Sequence, residues 1–157
     1  MENVKTRTLT EPQNRDIPCL QRVVSAMQDV CDGESRISWL SDRMFFITQR
    51  FSKTAGCGGQ PCGFDAMLAD LDEKAERYRR QVKDCMRELG RAERILNGIR
   101  DANMRTFVKM VYVLGLPTSQ VRSELNLTEW KFKELRRAVE QAKDMSSVRW
   151  PGNWAEE

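Results

Sequence analysis

Trp130, Lys133, Glu134, Arg137 and Gln141 fall on one side of any helix running from Glu129 to Gln141, because the angular step is about 100° per residue. A ring, two long cations, a carboxylate and an amide are groups that can meet base edges in a duplex groove. An arginine donates to guanine and a glutamate accepts from cytosine. Lys131 and Arg136 lie on the flanks of that side, where cations reach phosphates, and Arg122 just upstream is a further phosphate candidate. The charge is not one-sided: five Lys/Arg and three Glu stand between Glu129 and Lys143. A plain amphipathic helix pair, with a core and a solvated face, fits the same spacing. Trp130 separates the two readings, because an exposed aromatic on that side calls for a partner.

Two short helices and a tight turn must position these residues. In the first, Thr118 is expected to cap, and Val121 and Leu125 face one side. Asn126 occupies the turn and tolerates the left-handed region. Leu127 points inward, Thr128 caps the second helix, and Glu129 adds negative charge at its positive end. Phe132, Leu135 and Val139 then form one apolar stripe. The pattern matches a helix-turn-helix whose second helix enters the groove. A preceding helix from Asp101, its expected cap, to Leu114 offers Met104, Phe107, Val108, Val111 and Tyr112, and Gly115 stops it. Residues 99–145 thus read as a three-helix unit with Met104, Phe107, Val111, Val121, Leu125, Leu127, Phe132, Leu135 and Val139 as core.

The run Met104-Arg105-Thr106-Phe107-Val108, then Tyr112-Val113-Leu114-Gly115-Leu116, then the capped helix pair, resembles the fourth region of bacterial sigma factors. It is closer still to small phage regulators of late transcription of the ArpU/RinA type. The likeness extends upstream in layout, over roughly 120 residues, and its motifs are degenerate. Two departures stand out. Arg122 replaces a small residue after the first helix's apolar anchor, and Asn126 replaces a turn glycine. Arg122 either loosens the packing of the two helices or swings out to a phosphate. The resemblance implies a sequence-specific DNA-binding regulator in the cytoplasm of a bacterial host, with double-stranded DNA as partner and RNA polymerase as a further one.

Upstream, the expected architecture is an all-α helical hairpin over residues 17–98, with a Gly/Pro-rich loop at 52–63. Residues 1–16 are polar and aperiodic and read as a disordered lead-in. From Pro18 to Phe51 two stripes appear: Leu20, Val23, Val24, Met27, Val30 and Cys31, then Ile37, Leu40, Met44, Ile47 and Phe51. They meet at Asp32-Gly33, where a kink or break is expected. From Phe64 to Asn97, Leu68, Leu71, Ala75, Tyr78, Val82, Cys85, Leu89, Ala92 and Leu96 follow a coiled-coil seam. That seam needs a partner. The preceding helix is the nearest, a second copy the next, and a homodimer through the arm is expected. Asn97-Gly98 is expected to end the helix with Gly98 left-handed. The tail, 146–157, carries Trp150 and Trp154, which either fold back on the three-helix unit or anchor a polymerase subunit; fold-back buries more.

Composition narrows the function. Net charge is +3, and the chain has no His, which removes the commonest general base and metal ligand. No nucleotide loop or nucleophile elbow is present, so neither an enzyme nor a cofactor is expected. Cys57 and Cys62 have the spacing of a metal knuckle but lack two further ligands, and no metal is expected there. An odd count of five Cys argues against a disulfide framework. No apolar run reaches membrane-spanning length, and the first residues lack a signal peptide's apolar core, so no membrane partner is expected. Two alternatives stay open: a small-terminase-like packaging subunit, which usually places its DNA-binding unit first, and a coiled-coil interaction protein that never touches DNA.

Overall fold

The computed structural model describes residues 13–54 and 63–152, and among these every regular element is helical. α1 (Ile17–Gln21) and α2 (Val23–Thr54) are separated by Arg22 alone. α3 (Phe64–Gly98) follows, then α4 (Ala102–Val108), which runs directly into a π-helical turn (Lys109–Val113). α5 (Thr118–Glu124), α6 (Glu129–Gln141) and a 3₁₀ turn (Met145–Ser147) complete the chain. The all-α class expected from periodicity is the class observed. No helix among the described residues is long and apolar enough to cross a membrane. The described residues sort into an arm, those within 25–89, and a head made of residues 13–24 and 90–152. Cys57, Cys62 and Trp154 lie outside the described residues, as do positions 1–12 of the expected lead-in and 55–62 of the expected loop.

In the arm, α3 turns the expected seam inward, from Leu68 and Leu71 through Ala75, Tyr78 and Val82 to Cys85 and Leu89. α2 answers with a single stripe: Ala26, Val30, Gly33, Ile37, Leu40, Met44 and Ile47, again in alternating steps of three and four. Leu40, Leu71 and Ala75 form the centre, with Met44, Ile47 and Tyr78 packed against them. The guanidinium of Arg36 lies 5.3 Å from the centre of the Tyr78 ring. The seams therefore meet within one chain, the preceding helix being the partner expected first. The break weighed at Asp32-Gly33 is corrected, for α2 continues through it. Gly33 is itself a seam residue, and a Cβ there would lie 2.5 Å from Val82 Cγ2. Its missing side chain makes room for valine. Val24, Met27 and Cys31, assigned to the stripe from sequence, point to solvent instead.

The head core gathers Ile17, Leu20, Ile99, Met104, Phe107, Val108, Val121, Leu135, Val139 and Met145, all essentially sealed from solvent. Val111 and Leu125 pack at its edge. The segment before α1 is pinned rather than loose from residue 13 on. Gln13 N–H donates to Glu140 O at 3.0 Å, and Asn14 Nδ2 donates to Val139 O at 2.9 Å. Those carbonyls lie in the last turn of α6, which has no intrahelical donors for them. Asn14 Oδ1 accepts from Asp16 N–H, and Asp16 Oδ2 accepts from Met145 N–H at 2.9 Å. The head thus extends beyond residues 99–145 at both ends.

Several expected caps are corrected. α5 is capped by Pro117, whose carbonyl accepts from Gln120 and Val121, and Thr118 is the first helical residue. Asp101 holds the cap position of α4 but makes no capping bond; its Oδ2 accepts from Trp150 N–H at 3.2 Å. That bond fastens the tail, and Trp150 folds back against the head core. Gly98 belongs to α3 and is not left-handed, whereas Gly115, at φ +61°, is. The carbonyl of Leu96 accepts from Ile99 N–H and from Arg105 Nε, both at 3.2 Å, and Arg105 Nη2 donates to Ile99 O at 2.7 Å.

Two substitutions test this packing. Gly33→Ala gains about 1 kcal/mol of helix propensity but overpacks Val82, at about 1–3 kcal/mol. A lower urea midpoint is expected, recovered in a Val82→Ala background; a midpoint raised by Gly33→Ala alone would place the helices further apart. Asn14→Ala strands a buried carbonyl and should lower unfolding free energy by about 1–3 kcal/mol, measured by denaturant titration.

Candidate nucleic-acid interface

The candidate surface is the outer side of α6, and its placement follows from what the inner side buries. Phe132, Leu135 and Val139 are spent on the core, and Phe132 meets Phe107 edge to face with ring centres 5.6 Å apart. Thr128 caps the helix as expected, its Oγ1 accepting from Lys131 N–H at 3.2 Å. The turn from α5 is equally well defined. Asn126 takes φ +51°, and Leu127 N–H donates back to Arg122 O at 2.9 Å. That is the six-to-one bond of a Schellman cap with asparagine in the left-handed position.

Arg122 does not loosen the helix pair. It is half-buried, and its Nε donates to Leu127 O at 3.4 Å across the turn. Ser119, Ser123, Asn126 and Thr128 border the same shallow depression, so a cation and hydroxyl groups stand together beside the α6 N-terminus. Trp130 is 63% exposed and forms no part of the core. Lys133, Arg137 and Gln141 are exposed on the same side, Glu134 is half-exposed, and Lys131 is half-buried at the flank. The structure therefore brings together the five residues placed on the outer side, with Lys131, Arg136 and Arg122 around them.

The cations are held by their own helix. Lys133 Nζ lies 2.6 Å from Glu129, Arg137 Nη1 3.0 Å from Glu134, and Arg136 Nε 2.7 Å from Glu140. Lys133, with Arg122 adding its field, holds the Glu129 carboxyl below the usual carboxylate range. Such exposed pairs are weak in water, so a phosphate can take over any of these cations at small cost.

Two features at the rear of α6 were not visible in the sequence. One is the N-terminal segment that caps its C-terminus. The other is the π turn that carries Tyr112, whose ring is buried beside Arg136 and Glu140. Its hydroxyl finds no hydrogen-bond partner of good geometry among the described residues. Burial pushes the phenol well above its usual range, the Glu140 carboxylate adds to this, and Arg136 pulls the other way. Asp16-Ile17-Pro18 was a legible helix start; the π turn had no such signal. Among the described residues no cluster of three or more His, Cys, Asp or Glu side chains is placed to hold a metal.

A family model described as "Protein of unknown function (DUF1492)" matches residues 47–144, more than half of the chain. The matched span runs from the end of α2 through α3 to the end of α6. No curated protein and no solved structure matches the chain.

The raised Tyr112 pKa sets a pH test. The folded head keeps the phenol protonated to higher pH than the unfolded chain, whose phenol ionises near about 10. Its contribution is therefore intact below that pH and is lost as the pH rises above it. Tyr112→Phe should flatten this fall relative to wild type in urea titrations at about pH 8 and about pH 11; identical slopes would mean the phenol is not desolvated.

Proposed function

The chain belongs to the DUF1492 family, and we propose that it is a sequence-specific DNA-binding transcriptional regulator of the phage late-gene type. One observation carries this reading. The inner side of α6 is fully used by the core, while the outer side presents Trp130 with Lys133 and Arg137. A helix held that rigidly, second in a pair closed by a Schellman turn, has the form that enters a major groove. In this reading Trp130, Lys133, Glu134, Arg137 and Gln141 face base edges. Lys131, Arg136 and Arg122 lie toward the phosphates, Arg122 joined by the hydroxyls of Ser119, Ser123 and Thr128. Arg122 also braces the turn, so its loss would act on the pose of α6 as well as on charge. The resemblance to sigma-factor fourth regions adds RNA polymerase as a second macromolecule to be met at the promoter.

The modest net charge of +3 and the self-paired cations favour discrimination over indiscriminate coating of DNA. Binding duplexes enriched from a randomised pool, followed by anisotropy at two salt concentrations, tests the reading. Affinity should fall steeply with salt. Arg137→Ala should cost about 1–3 kcal/mol on the selected site only, and Lys131→Ala should weaken all duplexes alike. Binding without salt dependence, or no enrichment, would leave the interaction-protein alternative standing.

A further inference from the structure

The outer side of α2 has the spacing of a second seam. Ser35, Trp39, Asp42, Phe46 and Gln49 step by four and three, diametrically opposite the stripe that meets α3. Trp39, Phe45 and Phe46 are 57%, 60% and 65% exposed. Phe45 and Phe46 touch edge to face at 6.3 Å, and the guanidinium of Arg43 lies 5.2 Å from the centre of the Trp39 ring. Trp39, Asp42, Arg43 and Phe46 border an apolar groove along the helix. The outer side of α3 provides the contrast. There Lys74 pairs with Asp70, Arg77 with Glu73, Arg79 with Glu76 and Arg87 with Asp84, a solvated charged surface that satisfies itself. Among the described residues neither Asp42 nor Arg43 takes part in an ion pair.

We propose that this face of α2 binds the same face of a second copy, the two helices running antiparallel about a two-fold axis between Asp42 and Arg43. The sequence around that axis is self-complementary. Trp39 meets Phe46 of the second copy, and Asp42 meets Arg43 of the second copy. Aromatic faces aromatic, and each carboxylate faces a guanidinium. A parallel pairing would set Asp42 on Asp42 and Arg43 on Arg43, like charge on like, so charge alone selects the antiparallel arrangement. The area also suits a second copy. At these exposures each ring retains on the order of 100 Å², so the four rings of the two Trp39–Phe46 pairs supply about 400–500 Å². The stems of Arg43, Gln49 and Arg50 add to this, and the total stays below the roughly 1,200 Å² at the small end of specific interfaces, which means a weak, reversible dimer. The inference stands on α2 alone and does not depend on DNA reading by the head.

Sedimentation velocity of the full chain from about 1 to about 100 µM tests it, since a dimer of this size has a dissociation constant around the micromolar range. The wild-type mass should double across that range. Phe46→Glu should weaken association at least roughly tenfold with the helical circular-dichroism signal unchanged. Asp42→Arg and Arg43→Asp should each do the same, and the double variant D42R/R43D should restore the dimer. A wild type that stays monomeric throughout overturns the proposal, as does a dimer indifferent to Phe46→Glu and Asp42→Arg. Should Phe46→Glu lose helix content, the charge set decides: recovery in the double variant supports this face, and no recovery overturns it.

Discussion

The edge-to-face contact between Phe107 and Phe132, 5.6 Å between ring centres, is the joint on which the head is assembled. It fixes which side of α6 is inside. Once Phe132 is turned to α4, the helical period brings Leu135 and Val139 in behind it and leaves Trp130, Lys133 and Arg137 no place but the outside. The outer side is thus a consequence of burial and not an independent feature. Its orientation is rigid because both ends of α6 are tied: Thr128 and the Schellman turn hold the start, and the backbone of Gln13 with the side chain of Asn14 holds the finish.

That second tie changes how the chain is divided. The residues just before α1 act on carbonyls more than 120 residues later in sequence, so residues 13–16 belong to the head and help to close it. Asp16 and Asp101 do parallel work, accepting the backbone N–H groups of Met145 and Trp150. Two aspartates in positions suited to capping a helix instead secure a tail. A buried backbone donor needs an acceptor wherever it lies, and that demand outweighs a local cap worth roughly 1 kcal/mol.

What the sequence disclosed, and what it did not, follows the range of the forces involved. The seam of α3 was legible because Leu68 through Leu96 keep an unbroken period. The turn was legible because Asn126 and Thr128 act on neighbours within three residues. α2 misled for two reasons. Its true stripe contains Gly33, which contributes by having no side chain, and its outer side is also apolar, so Val24, Met27 and Cys31 seemed to continue the stripe. The placement of Asn14 could not be read locally, because its partners are far off in the chain, whereas the fold-back of Trp150 followed from what its ring gains by burial.

The outer sides of α2, α3 and α6 form a series in which charge pairing is the variable. On α3 Lys74 pairs with Asp70, Arg77 with Glu73, Arg79 with Glu76 and Arg87 with Asp84, all within the helix. On α2 rings dominate, and among the described residues Asp42 and Arg43 take part in no ion pair, which is what the proposed pairing of two copies would supply. On α6 a ring and pre-paired cations coexist. Pairing lowers the attraction of α6 for phosphate at large, yet each exposed pair is weak enough to be exchanged when a base edge or phosphate is correctly placed. Under the proposed reading, Glu129, Glu134 and Glu140 therefore act against unselective binding: the wrong duplex must break their pairs without the groove contacts that compensate, and specificity comes from that difference.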